Sequence, residues 1–294
     1  MLGIRTHKHA RISGSLILNI ESSIMRKSLL TLGLLAATSA PAIAADYSEG
    51  VRSNDYSWMQ FNIMHVLDEK PGDIDHTYLE MEFGGRSGIF DLYGYVDLFN
   101  PTNNSTSAKD GADRLFMKFN PRMSLDAATG VDLSFGPLQE LYIASENIID
   151  GGDNGYTTKW GIGSDIMVPW FGKMQFNLYA RHELTSHEWN GYQISTNWFK
   201  PFINFENGSF ISYQGYLDYE FGMDDTADNL SGHGGAMYNG IYWHYKNYAV
   251  GYGLKLYSNV YGLQDGAYFD NAAPENGRFS TSGAAHYFAA TYKF

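Results

Sequence analysis

HYFAATYKF, residues His286 to Phe294, ends the chain and reads as a strand with two unlike faces. In steps of two, Phe294, Tyr292, Ala290, Phe288 and His286 share one face, and Lys293, Thr291, Ala289 and Tyr287 share the other. Soluble chains usually fray at their ends, so a strand that runs to an aromatic last residue points to a terminus held in a closed sheet. The same alternation recurs upstream. In FDLYGYVDL, Phe90, Leu92, Gly94, Val96 and Leu98 oppose Asp91, Tyr93, Tyr95 and Asp97. In MQFNLYAR, Met174, Phe176, Leu178 and Ala180 oppose Gln175, Asn177, Tyr179 and Arg181, and FISYQGYLDYEF continues the pattern through Tyr216, Asp218 and Glu220. One face is apolar and aromatic; the other is polar, charged and rich in tyrosine.

Composition agrees with a sheet exposed to lipid. The chain has no Cys, 32 Gly and 16% aromatic residues, an unusual mix for a packed cytosolic core. No stretch approaches the roughly 18 consecutive apolar residues of a membrane-spanning helix, so any crossing must use strands. The N-terminal text MRKSLLTLGLLAATSAPAIAA, from Met25, carries a basic pair (Arg26, Lys27), an apolar run (Leu29 to Ala37) and an Ala42-Ile43-Ala44 triplet. That is a secretory signal with its cleavage site. Residues 1–44 are expected to form the signal region with Met25 as the true start, and 45–294 a single barrel domain. The full chain has 20 Lys and Arg against 32 Asp and Glu; removing Arg5, Lys8, Arg11, Arg26, Lys27 and Glu21 leaves 15 against 31, net −16. Nucleic-acid binding, which needs a basic face, is disfavoured.

Strands are expected over 56–66, 76–84, 88–98, 113–123, 136–146, 157–167, 173–183, 191–199, 209–221, 236–245, 248–257 and 283–294. Each is about 9 to 13 residues, long enough to cross a bilayer when tilted, whereas sandwich strands are shorter. Connections 85–87, 168–172 and 246–247 are short, while 67–75, 99–112, 147–156, 222–235 and 258–282 are long and polar, the asymmetry of an outer-membrane barrel. Two connections on the short side, 124–135 and 200–208, break that rule. The reading is all-β: a transmembrane antiparallel barrel of about 12 strands, whose even count puts both termini in the periplasm. An open edge in lipid would leave backbone groups unpaired at several kcal/mol each, which is why the last strand must close on the first.

The runs PRMSLDAATGVDLSFGPLQELYIA (Pro121 to Ala144), IFDLYGYVD (Ile89 to Asp97) and EWNGYQI (Glu188 to Ile194) resemble the nucleoside-specific channel (Tsx-like) family of Gram-negative outer membranes, and within it the OmpK branch. The likeness spans essentially all of the mature chain, and Asp132 to Pro137 with Glu140 is its most specific part. It implies a monomeric twelve-stranded barrel whose narrow pore passes nucleosides and whose loops serve phages as a receptor. The aromatic end at Phe294 also resembles the signature that barrel assembly machinery recognises.

Twelve strands lie between barrels filled by side chains and those with an open channel. A closely lined passage is therefore expected, with Glu80, Glu82, Asp91, Tyr93, Tyr95, Asp97, Arg114, Phe116, Lys118, Lys159, Tyr179, Arg181, Tyr216 and Asp218 facing inward. Aromatic rings can stack on a base, and charged groups can bond ribose hydroxyls and base edges. No cofactor or metal is expected: His65, His76, His182, His187 and His244 lack metal-ligand spacing, and Asp224, Asp225, Asp228 and His233 read as a solvated acidic loop. No His-x-Ser or Gly-x-Ser-x-Gly motif supports an enzyme. The competing readings are a surface-interaction barrel, receptor or adhesin, and a less selective small-solute porin.

Overall fold

The computed structural model describes residues 47–150 and 156–294, so the signal region and its cleavage site lie outside the described residues. Twelve antiparallel strands follow one another around a closed barrel: β1 Tyr56–Glu69, β2 Ile74–Ser87, β3 Phe90–Phe99, β4 Leu115–Ser124, β5 Leu138–Asp150, β6 Thr157–Val168, β7 Gly172–Glu183, β8 Glu188–Asn204, β9 Phe210–Phe221, β10 His233–Tyr245, β11 Tyr248–Ser258 and β12 Gly283–Lys293. Closure is made by β1 and β12, in register from Gln60↔Lys293 to Leu67↔His286. The last residue belongs to the seam. Phe294 donates its N–H to the Met59 carbonyl (3.0 Å), and its ring meets Phe61 edge-on at 5.7 Å.

Alternation decides which side chain meets lipid. Ile63, Ile162, Ile241, Val250 and Phe288 point outward and are about half exposed, while their neighbours Asn62, Glu80, Tyr238, Tyr242 and Tyr287 are buried in the lumen. For a closed sheet in a bilayer this is the stable arrangement, since every backbone group is paired and only apolar surface faces hydrocarbon. No helix of the described residues is long and apolar enough to cross a membrane.

The connections differ from expectation at three places, and a fourth, long as expected, has internal structure. β2 continues through Gly85, Arg86 and Ser87, so the turn to β3 is Gly88–Ile89; Gly88 takes φ 59° and donates its N–H to Asp55 Oδ1 at 2.6 Å. β1 and β2 run further than alternation alone suggested and meet at a four-residue turn, 70–73, rather than a long loop. β8 extends to Asn204, which leaves a tight turn at 205–209 in place of a longer connection. The 125–137 connection is long, and it has internal structure. A short helix, α1 (Leu125–Thr129), is capped by Ser124 accepting from the Ala127 N–H, and Asp126 accepts from the N–H groups of Leu133 (2.9 Å) and Leu141 (3.2 Å).

Candidate functional site

Two cavities lie in the lumen formed by the described residues. The larger, about 730 Å³, opens at the end bearing the longer loops; the smaller, about 30 Å³, lies towards the end bearing the termini. Tyr95, Lys118 and Asp218 line both and so stand between them. Lys118 is on β4 and Asp218 on β9, five strands away around the barrel, yet Lys118 Nζ is 3.1 Å from Asp218 Oδ2. This ion pair is a bar across the lumen.

A ladder of charges extends from the bar. Lys118 also reaches Glu146 at 2.9 Å; Lys159 joins Glu146 and Glu220, both at 2.9 Å; Arg181 joins Glu220 (3.4 Å) and Glu183 (2.6 Å). Gln193 donates to Glu146 and contacts Lys159 through its own carbonyl oxygen. Nearer the termini, Arg122 is paired with Asp91 (3.2 Å) and Asp165 (3.0 Å) beneath the Tyr142 ring, and Lys173 reaches Asp165 at 3.1 Å. Last comes Arg86 against Glu140. Tyr47, from the segment before β1, donates its hydroxyl to Glu140 Oε1 at 2.5 Å. Burial, helped by that carboxylate, pushes the Tyr47 hydroxyl above the usual tyrosine range.

The remaining wall is built from rings. Tyr238 and Tyr242 on β10 share a hydroxyl hydrogen bond of 2.8 Å and lie along the sheet over Gly240, Gly251 and Gly253. A Cβ placed on Gly253 would sit 1.9 Å from Tyr238 Oη, so glycine is what lets the rings lie flat. Tyr257 and Tyr287 share a 2.9 Å bond, and Tyr287 donates to Glu69 at 2.8 Å. Glu69 also holds His76 (2.5 Å) and Lys109 (3.5 Å), the latter from the 100–114 loop. That loop therefore folds into the lumen. Burial draws the Lys109 ammonium below its ordinary range, and Glu69 pulls in the opposite direction.

Of the residues singled out from sequence, Tyr95, Phe116, Lys118, Lys159, Arg181 and Asp218 line the larger cavity. Asp91, Tyr93, Tyr179 and Tyr216 line the smaller. Glu80, Glu82 and Asp97 are buried on the inward face but line neither cavity. Asn62 donates to Glu80 (2.6 Å), and Gln60 and Tyr93 donate to Glu82 (2.7 and 2.8 Å). Arg114 stands apart: β4 begins at Leu115, and Arg114 is exposed in the loop, donating to the Asn100 carbonyl (2.7 Å) and Asn103 Oδ1 (3.1 Å). In the acidic loop Asp224 accepts from the Thr226 N–H and Asp228 from the Asn271 side chain. Sequence reasoning did not single out Glu146, Asp165, Arg122, Gln193 or Lys255, and it placed Glu220 on the polar face without naming it as a lining residue. Each sits at the inward parity of its strand, so the signal was present.

One contact brings a serine to a histidine. Ser212 Oγ lies 2.8 Å from His244 Nε2, but Lys293 Nζ sits 2.6 Å from Nδ1, where a catalytic triad has a carboxylate. With the ammonium donating to Nδ1, the Nε2–H must donate to the hydroxyl, which is the wrong direction for activating a nucleophile. Ser212 is also fully buried. No group of three acidic, His or Cys side chains among the described residues is placed to hold a metal.

Residues 53–294 match the family model described as nucleoside-specific channel-forming protein, Tsx. The chain belongs to this family. It is 59% identical over 277 residues to the outer membrane protein OmpK of Vibrio parahaemolyticus serotype O3:K6, covering 92% of this chain and all of that one. The nucleoside-specific channel-forming protein Tsx of Klebsiella pneumoniae is 31% identical over 223 residues, 70% of this chain and 76% of its own. Among solved structures, the NanC porin aligns over 80% of this chain at 9% identity and a TM-score of 0.45. The protein is thus an outer-membrane β-barrel channel of the Tsx and OmpK group, and its twelve strands agree with the expectation from alternation.

Proposed function

We propose that the barrel is a passive, substrate-selective channel for nucleosides, entered from the long-loop end and left at the end bearing the termini, which faces the periplasm. The carrying observation is the larger cavity and its floor. A space of about 730 Å³ is lined by apolar Phe116, Ile148, Met223 and Val260 interleaved with polar Lys118, Lys159, Glu146 and Gln193, and it narrows onto the Lys118–Asp218 bar. Pockets of a few hundred Å³ that combine apolar walls with a few convergent polar groups are the usual form of a small-molecule site. A nucleoside has one flat apolar body and one hydroxylated sugar, and a lining of both kinds offers contacts to each.

The charge pattern supports a neutral solute. Every lysine and arginine that lines the larger cavity is paired with a carboxylate, so none is available to a phosphate without loss of an internal partner. Passage requires the Lys118–Asp218 bar to exchange protein partners for solute hydroxyls. Many weak, exchangeable contacts in series suit conduction, because a solute must enter and still leave.

Single-channel current in planar bilayers tests this. Adenosine and thymidine are expected to block the current at concentrations where glucose does not. Adenosine monophosphate, carrying about −1.5 to −2 charge, is expected to block more weakly than adenosine. Equal block by glucose and adenosine would sink nucleoside selection and favour a general porin, or a barrel whose loops serve as a phage receptor.

A further inference from the structure

At the end bearing the termini, the lumen is met by chain that belongs to no strand. Residues 47–55 precede β1; Ser48 to Ser53 are exposed, while Tyr47 is half-buried. Successive turns fold this segment: the Gly50 N–H donates to the Tyr47 carbonyl (2.9 Å), the Ser53 N–H to the Gly50 carbonyl (3.1 Å) and the Asp55 N–H to the Arg52 carbonyl (3.2 Å). Gly50 takes φ 110°, which a residue with a side chain would resist. The foot of the segment is fixed at the β2–β3 turn, where Asp55 accepts from the Gly88 N–H (2.6 Å) and Arg52 donates to Ser87 Oγ (3.3 Å). Its head is fixed inside the barrel. The Tyr47 hydroxyl donates to Glu140 Oε1 at 2.5 Å, lies 3.3 Å from Ser124 Oγ and accepts from Arg86, whose Cζ is 5.3 Å from the centre of the Tyr47 ring.

These partners stand just beyond the smaller cavity. Asp91 and Arg122 line that cavity and are directly opposed across β3 and β4. Arg86 opposes Asp91 from β2; Ser124 follows Arg122 towards the terminal end of β4, and Glu140 precedes Tyr142 at the terminal end of β5. Arg122 and Arg86 both approach the Tyr142 ring, at 3.9 and 6.0 Å. Tyr47 is therefore the last ring in a column of guanidinium groups and rings that runs from the cavity to the mouth.

The wall keeps its own pairing without this contact. Arg86 Nη1 donates to Glu140 Oε2 at 3.0 Å, and Ser124 Oγ donates to Glu140 Oε1 at 2.5 Å, so each of the three keeps a partner when Tyr47 leaves. Departure of the head strands no buried charge, which is what makes breaking most buried ion contacts so costly. A head that can leave, on a segment whose foot stays bonded, is a two-position element.

We propose that residues 47–55 are a strap across the terminal mouth of the channel, with Tyr47 as its latch. Seated on Glu140, Tyr47 closes the exit from the smaller cavity; released, it opens it. The strap lies over the sector from β2 to β5, because its foot is bonded to the β2–β3 turn and its head to Arg86 on β2, Ser124 on β4 and Glu140 on β5. It governs how a solute leaves, whichever solute the channel selects.

The test uses sided access to a single thiol. The chain has no cysteine, so Asn197→Cys in the smaller cavity supplies one thiol, and its modification by a small methanethiosulfonate is read as a step in potassium chloride current across a planar bilayer. The reagent is added at the terminal side or at the long-loop side, to channels carrying Tyr47, Tyr47→Phe or Tyr47→Ala. The rate from the terminal side should scale with the fraction of channels whose strap is released. Tyr47→Phe keeps the ring and loses the bond to Glu140; it is expected to raise that rate by about 10- to 150-fold, the span of one hydrogen bond to a charged group. Tyr47→Ala should raise it at least as much, and neither should change the rate from the long-loop side. Both substitutions lie outside the strands, and the heat-modifiable gel shift confirms that each barrel is folded. Equal terminal-side rates in all three would overturn the strap and leave Tyr47 a brace for Arg86 and Glu140. A rise from both sides alike would also overturn it, because it would report a loosened barrel instead of an opened mouth.

Discussion

Strands β10 to β12 and strands β4 to β9 both fill the lumen, but with different physics. The first wall lays rings flat on glycines. Tyr238 and Tyr242 cover Gly240, Gly251 and Gly253; Tyr287 meets Tyr238 edge-on at 5.7 Å, shares a hydroxyl hydrogen bond with Tyr257 and donates to Glu69. The second wall sends charges inward and across: Lys118 to Asp218, Lys159 to Glu220, Arg122 to Asp165. The rings pack into a buried cluster, whereas the crossing charges leave gaps between them: both cavities are lined mainly by residues of β3 to β9, so the passage is narrow and lies on the charged side.

The two walls should also fail differently. Buried apolar rings contribute through area and close packing, which a local change degrades by degrees. A buried ion pair contributes little net stability while intact, because desolvation offsets attraction, but removing one partner strands the other. Charged-wall variants should therefore be both the most destabilised and the ones that change what passes; ring-wall variants should lose stability and keep selectivity.

The largest effect is expected at Arg122. Arg122→Ala leaves buried Asp91 without its cation and Asp165 with Lys173 alone, at a cost of about 3–5 kcal/mol, and should shift conductance towards cations. Urea unfolding read by the heat-modifiable gel shift, paired with reversal potential, measures both. A loss under about 1 kcal/mol would mean that water already screens this part of the lumen.

An intermediate effect is expected at the ring wall. Gly253→Ala puts a methyl where Tyr238 Oη lies, and overpacking of this kind costs about 1–3 kcal/mol. Adenosine block in folded channels should be unaltered. If block changes while stability does not, the ring wall takes part in selection and the division of labour between the walls is wrong.

The smallest is Tyr242→Phe. It keeps the ring over Gly251 and removes only the 2.8 Å bond to Tyr238, for about 0.5–1.5 kcal/mol. A cost as large as that of Gly253→Ala would show that the hydroxyl pair, more than ring packing, holds this wall.

Much of this was legible before any coordinates, because a strand has a side-chain period of two and a bilayer rewards only one choice of outward face. Tyr95, Lys118, Lys159, Arg181, Tyr216 and Asp218 fall on the lumen face for that reason alone, and Phe294 falls on the seam. The turns at 88–89 and 205–209 were misplaced because the expected strands stopped too early: Gly84 and Gly85 blur the alternation although pairing continues through Ser87, and Lys200 falls at the outward parity and is followed by Pro201, although β8 stays paired with β9 as far as Asn204.

Periodicity within one strand determined the fold class, the strand count and the face on which each side chain stands. It carries no information about partners around the circumference, which closure and register decide. Lys118 meets Asp218 a hundred positions away because β4 and β9 face each other across a closed ring. Tyr47 finds Glu140, and Lys109 enters the lumen to reach Glu69, because loops and the segment before β1 fold back over the barrel ends. The left-handed turn at Asn259 and Tyr261, between β11 and β12, is likewise set by bonds from Thr281, Ser282 and Ser231, residues of other segments. A local pattern could place the groups of this channel on its walls; only the closed tertiary structure could choose which of them meet.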